Sequence, residues 1–147
     1  MRRYNFRLEK FLKYRELKEK LAHRDFINQQ NILEKQKEIL KEIKEKEIQV
    51  LKNESKNRIG KIDLARWRYS NSFLYENQKR EYSEIKKIQV ILSKLDELKK
   101  RYIEASRNRK IVEKLKDKSI EEYKKYFYKE TQKLFDDIAS QRFKKKF

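Results

Sequence analysis

Apolar positions recur with a helical period in two long stretches of the chain. In the second half, Ile88, Ile91, Leu95, Leu98, Tyr102, Ala105, Arg109 and Val112 are separated by alternating steps of three and four residues. That spacing puts them at the a and d positions of a heptad on one side of an α-helix. Arg109 is the single interruption. Asp96 with Lys100 and Glu97 with Arg101 stand one turn apart and support the same helix. The first half carries a companion stripe. Leu8, Leu12, Ala22, Phe26, Leu33, Leu40, Ile43 and Val50 share one heptad frame, and Arg15, Glu19, Gln29, Gln36 and Glu47 fill its other positions. Polar residues in a seam lower stability but fix register. Glu16 with Lys20 and Glu42 with Lys46 support the outer face. Neither stripe has another core to pack on. The pattern therefore predicts an all-α fold, an antiparallel two-helix coiled-coil hairpin with a longer C-terminal helix.

Where the chain bends decides what is left over. The segment Asn53-Glu54-Ser55-Lys56-Asn57-Arg58-Ile59-Gly60 holds the only glycine, and Gly and Asn tolerate the conformations that end helices. This places helix 1 at about 5–54, the turn at about 55–61 and helix 2 at about 62–143, within a single domain 1–147. A second candidate turn is Ser70-Asn71-Ser72. With the bend near Gly60, Leu33 meets Ile88 and Phe26 meets Leu95, and helix 2 overhangs helix 1 from about Leu115. In the overhang the apolar stripe shifts phase to Ile120, Tyr123, Phe127, Leu134 and Ile138. Near the turn, Ile39, Ile43 and Val50 face Gln78, Glu81 and Glu84 and would lack apolar mates.

Composition agrees with long helices. There is no proline, charged residues make up 45% and hydrophobic residues 37%. The same numbers describe disordered chains, but the 8 Phe, the 9 Tyr and the sustained periodicity argue for order. No cysteine is present, which excludes disulfides and thiolate metal sites. The start lacks the apolar region of a secretory signal, and apolar runs stop at three residues, as in Val90-Ile91-Leu92. A bilayer span needs ~20. The expectation is a cytoplasmic protein. The net charge of +18 invites a nucleic-acid reading, yet it is spread along the chain and interleaved with Glu. Lys, Ile, Asn and Tyr also have AT-rich codons. An acidic protein partner fits better.

Catalytic equipment is missing. His23 is the only histidine, on a helix beside Arg24 and Asp25. One glycine cannot build a phosphate-binding loop. Paired carboxylates need a shielded cleft to separate their pKa values, and a two-helix rod has none. Asp136 and Asp137 have no accompanying ligand spacing and read as surface acids. The ending Arg142-Phe143-Lys144-Lys145-Lys146-Phe147 reads as a solvated basic tail. The expectation is a protein that is not an enzyme and has no cofactor. Trp67, in Arg66-Trp67-Arg68-Tyr69 with Phe73, Leu74 and Tyr75 close behind, sits too near the tip for all these rings to enter the seam. Exposed aromatics with arginine favour a binding surface over a cluster that merely closes the tip.

Four segments stand in a characteristic order: Phe6-Arg7-Leu8-Glu9-Lys10-Phe11-Leu12 with Arg15, then Gly60, Arg66-Trp67 and Phe73 at the turn, then Arg109-Lys110-Ile111-Val112-Glu113-Lys114-Leu115-Lys116, and last Phe135-Asp136-Asp137-Ile138-Ala139-Ser140-Gln141-Arg142. In this layout the chain resembles the flagellar type III export protein FliJ family. The resemblance implies a hairpin similar to the central stalk of rotary ATPases, and a stalk-like adaptor in flagellar type III protein export. The implied partners are a hexameric export ATPase (FliI-like), an export gate protein (FlhA-like) and export chaperones. No small-molecule substrate is implied, and membrane contact would be peripheral and through partners. The gate-binding surface of the family falls here on Ile39, Ile43, Lys46 and Val50 in helix 1 and Phe73, Asn77, Arg80 and Glu84 in helix 2. Lys46 and Arg80 depart from its apolar character. The expected gate contacts are Ile39, Ile43, Val50, Trp67 and Phe73. The expected ATPase or chaperone contacts are Leu8, Leu12, Arg15, Tyr123, Phe127, Leu134 and Ile138. Two rivals stand beside this on residues alone: a basic coiled coil for nucleic acid, and a structural spacer self-associating through the Tyr123–Ile138 stripe. The injectisome branch of the family shares the same physics.

Overall fold

The structure, a computed structural model of the chain, describes residues 3–57, 60 and 63–145. It is an all-α helical hairpin of two long helices, with no strand among the described residues. Helix α1 is Glu9–Asn57 and helix α2 is Leu64–Lys145.

Helix α1 starts at Glu9, later than the expected position near residue 5. Phe6 explains the delay. Its side chain is buried against Leu12 and Val112, Tyr4 packs on the same core, and the described residues before Phe6 are not helical. The Phe6 carbonyl accepts from the Glu9 N–H at 3.2 Å, and the Leu8 carbonyl from the Leu12 N–H at 2.9 Å. Glu9 in the first turn and Lys56 in the last both suit the helix dipole.

The break between the helices carries Gly60 at φ +140°, a conformation that side chains resist. Arg58, Ile59 and Lys61 of the expected turn, and Ile62 at the expected start of helix 2, lie outside the described residues. Helix α2 begins where Asp63 caps it. The Asp63 carboxylate accepts from the N–H of Ala65 at 3.1 Å and of Arg66 at 3.4 Å, and its carbonyl accepts from Trp67 at 3.0 Å. This is an N-cap, which satisfies amides that otherwise have no partner in the first turn. Ser70-Asn71-Ser72 lie inside α2 and form no turn.

The packing divides into two units, 1–21 with 103–147, and 22–102. In the unit 22–102, the seam positions of both helices are buried or half-buried, while the positions between them are exposed. Leu33 and Ile43 are buried apolar anchors, and Gln29 and Asn77 are buried polar ones. Each buried amide crosses to a main-chain carbonyl of the opposite helix: Gln29 Nε2 to Ile91 O at 3.5 Å and Asn77 Nδ2 to Ile43 O at 3.0 Å. A helical carbonyl has a second lone pair free for this. Gln29 to Ile43 is two heptads forward, and Ile91 to Asn77 is two heptads back, so both bonds hold one antiparallel register. It agrees to one residue with the pairing of Leu33 with Ile88. At the far end of this unit, Tyr102 stacks on Phe26 with centroids 6.4 Å apart and meets the His23 ring at a tilt, 5.1 Å away.

The unit 1–21 with 103–147 has a small core of Phe6, Leu12 and Val112, with Tyr4 packed against it. Charged residues rim it. Arg109 Nε bonds the Glu19 carboxylate, and Arg109 Nη1 reaches Glu113 at 2.6 Å. Lys116 reaches Glu9 at 3.0 Å.

Candidate functional surfaces

Two surfaces follow from what the seam leaves over. In the unit 22–102, the tip exposes Leu64, Trp67, Tyr69 and Tyr75 on α2 and Ile48 and Leu51 on α1. Trp67 is 45% exposed, in the first turn of α2 behind the Asp63 cap. Val50 and Phe73 are half-buried and Ile39 is 42% exposed. Ile43 is different. Only 4% of it is accessible, and its carbonyl is held by Asn77, itself 3% exposed. Ile43 was expected to face polar residues without an apolar mate; the residue that holds its carbonyl is the polar Asn77, and its side chain is nevertheless buried.

Beside Ile43 lies another polar layer. Gln36 is one heptad from both Gln29 and Ile43, and Glu84 is one heptad from both Ile91 and Asn77, which sets them level. Gln36 Nε2 and Glu84 Oε2 are buried without a hydrogen-bond partner among the described residues. The other Glu84 oxygen takes Lys87 at 3.2 Å, and Glu81 faces Lys44 at 4.0 Å.

In the unit 1–21 with 103–147, the stripe of α2 is covered further than the overhang from Leu115 implies. Lys116 is tied to Glu9, and the segment before α1 carries the cover on, with Tyr4 against Tyr123 at 5.3 Å. Tyr123 in turn meets Phe127 at 6.3 Å. Past Thr131, every described residue of α2 is exposed. Phe127, Leu134 and Ile138 are 41%, 54% and 48% exposed, so the free stripe begins near Phe127. Leu12 is buried in the core, Leu8 is half-exposed, and Arg15 is half-buried with its guanidinium 4.9 Å from the Phe11 ring centre.

Electrostatics sets the rim. Burial strips water from the Arg109 guanidinium and pulls its pKa down, but bonding to Glu19 and Glu113 outweighs this and leaves it above its usual value. The hydrogen bond to Glu9 holds the Lys116 ammonium above the usual lysine value. Among the described residues no group of His, Asp or Glu could hold a metal ion, and no helix is long and apolar enough to cross a membrane.

The match to known proteins rests on the whole chain. The family model of the flagellar FliJ protein matches residues 4–146. The chain belongs to the FliJ family. Comparison with curated proteins finds no match, nor does comparison with solved structures. FliJ membership gives the chain a role connected with flagellar protein export, in a family of adaptors and not of enzymes. It also sharpens the geometry. Of the FliJ positions expected to face a gate, Ile43 and Asn77 are bound to each other across the seam, whereas Ile39, Lys46 and Arg80 are open to solvent. Sequence reasoning missed Tyr4 and Phe6 as cover for α2. Their aromatic character within the first six residues was the available signal.

Proposed function

We propose that this FliJ-family chain is a stalk-like cytoplasmic adaptor of the export apparatus, peripheral to the inner membrane. It binds the hexameric export ATPase and export chaperones through the free stripe of α2, and the export gate through the tip of the unit 22–102. The observation that carries the reading is the exposed stripe Phe127, Leu134 and Ile138, which no described residue of α1 covers. A partner helix or ring would bury what the fold leaves open. Leu8 and Arg15 flank the cover of α2 and contribute to the same contact. Leu12 supports it from the core. At the tip, Trp67 and Ile39 are the anchors, with Val50 and Phe73 behind them and Ile43 acting through the seam.

Co-purification of the full chain with the purified export ATPase and with the cytoplasmic domain of the export gate tests the reading. Retention of both is expected. Trp67→Ala with Ile39→Ala should release the gate and keep the ATPase. If neither protein is retained, or if steeply salt-dependent DNA binding is found in their place, the adaptor reading is wrong.

A further inference from the structure

The outward side of α2 in the unit 22–102 carries a surface that the seam does not use and that runs on from Tyr75 at the tip. Tyr75 and Tyr82 are one heptad apart and 59% and 62% exposed. Lys79 Nζ lies 4.4 Å from the Tyr75 ring centre, and Lys86 Nζ lies 4.5 Å from that of Tyr82. The unit Tyr-Lys thus repeats after seven residues, ~10.5 Å along the helix at 1.5 Å per residue. Arg68, one heptad before Tyr75, extends the strip toward the tip.

Charge on this stretch is sorted by face. Between Leu64 and Leu95 the carboxylates are Glu76, Glu81 and Glu84. Glu81 and Glu84 are half-buried at the seam, facing Lys44 and Lys87, and Glu76 stands on the flank. Among the described residues, neither Lys79 nor Lys86 is paired with a carboxylate. Below Lys86 the strip opens on a shallow groove lined by Gln36, Ser83, Lys86, Lys87, Val90 and Ile91. Val90 there is 70% exposed.

We propose that this strip docks an acidic amphipathic helix of a partner protein. Unpaired lysines at heptad spacing match carboxylates at heptad spacing on a helix laid along α2. The groove at Val90 takes that helix's apolar side chain between two lysines. Tyrosine faces hold the ammonium groups in place before the partner arrives, which lowers the ordering needed on binding. An apolar floor with a lysine rim suits an amphipathic helix better than a phosphate backbone, which offers nothing to Val90.

The test does not depend on the export reading, because its probe is a defined peptide. Fluorescence anisotropy would measure the full chain against a synthetic helix of three heptads with an apolar stripe flanked by glutamates. The same helix with glutamines and a short DNA duplex serve as comparison probes. The glutamate helix should bind, and Lys79→Glu with Lys86→Glu should weaken it about tenfold or more. Tyr75→Ala with Tyr82→Ala should weaken it roughly threefold or more at unchanged helicity. Lys37→Glu with Lys41→Glu, on exposed positions of α1, should leave it within about twofold, as expected away from the contact. Equal binding of the glutamine helix, an equal loss in the α1 variant, or tighter binding of the duplex through Lys79 and Lys86 would each overturn the proposal.

Discussion

Arg109 interrupts the apolar stripe of α2 and donates to Glu19, which interrupts the stripe of α1. These two of the polar seam positions answer each other. Both side chains are about four-fifths buried, so each shields the other from an unpaired state. Removing one partner leaves the other without its counter-charge. Arg109→Ala or Glu19→Ala should lower stability by roughly 1–3 kcal/mol, between the exposed and fully buried cases. Replacing both with Leu should be neutral or stabilising. Urea unfolding of the single and double variants measures this, and equal losses in all three would refute the coupling.

Asn77 is a register pin in the unit 22–102. Asn77→Ala deletes a buried bond to the Ile43 carbonyl and opens space at a 3%-exposed site. The expected loss is about 1–3 kcal/mol. Asn77→Leu should recover most of it through burial but loosen the register. Disulfide trapping between cysteines placed at Gln36 and Glu84 would report that, with lower yield of the native pair in the Leu variant.

The core of the unit 1–21 with 103–147 is small enough that one residue decides it. Leu12→Ala and Val112→Ala remove side chains that are 4% and 3% exposed. Leu12→Ala should cost about 2–4 kcal/mol, and Val112→Ala somewhat less. Calorimetry should show the lower transition. Phe127→Ala, on the exposed stripe, should leave it almost unmoved.

Alkaline pH should weaken the contact between α2 and the start of α1. Folded Lys116 holds its proton more tightly than in the unfolded chain because of Glu9. The contribution is therefore complete below the unfolded lysine value of ~10.4 and is lost as pH rises through the higher folded value. A stability titration above about pH 10 should show a steeper decline in the native chain than in Lys116→Met. Parallel curves would remove Lys116 from the account.

The seam was legible because apolar spacing survives in the sequence wherever packing needs it. Ile88 to Val112 and Leu8 to Val50 could be read as stripes, and Gly60 marked the bend. Gln29 and Asn77 were not legible as clamps, because a buried amide bonding a carbonyl looks in sequence like any polar seam residue. Asp63 was not singled out in the sequence; its carboxylate caps the first turn and α2 starts at Leu64. Tyr4 and Phe6 escaped because a non-helical segment that packs on a helix has no periodicity to betray it. Of the surfaces, the free stripe at Leu134 and Ile138 was visible as a heptad with no partner. The burial of Ile43 was not, since it depends on what Asn77 does across the seam.

The central claim is that the uncovered stripe of α2 is a binding face of an export adaptor. Titration calorimetry of the full chain into the hexameric export ATPase measures it directly, with the native chain and with Phe127→Ala, Leu134→Ala and Ile138→Ala combined. These side chains lie outside the seam, so the variant should keep its helicity and melting transition. The account predicts binding by the native chain and a loss of about a hundredfold or more in the variant, the scale of truncating several interface anchors. Equal affinity of the two chains, or no binding by the native chain, would contradict it.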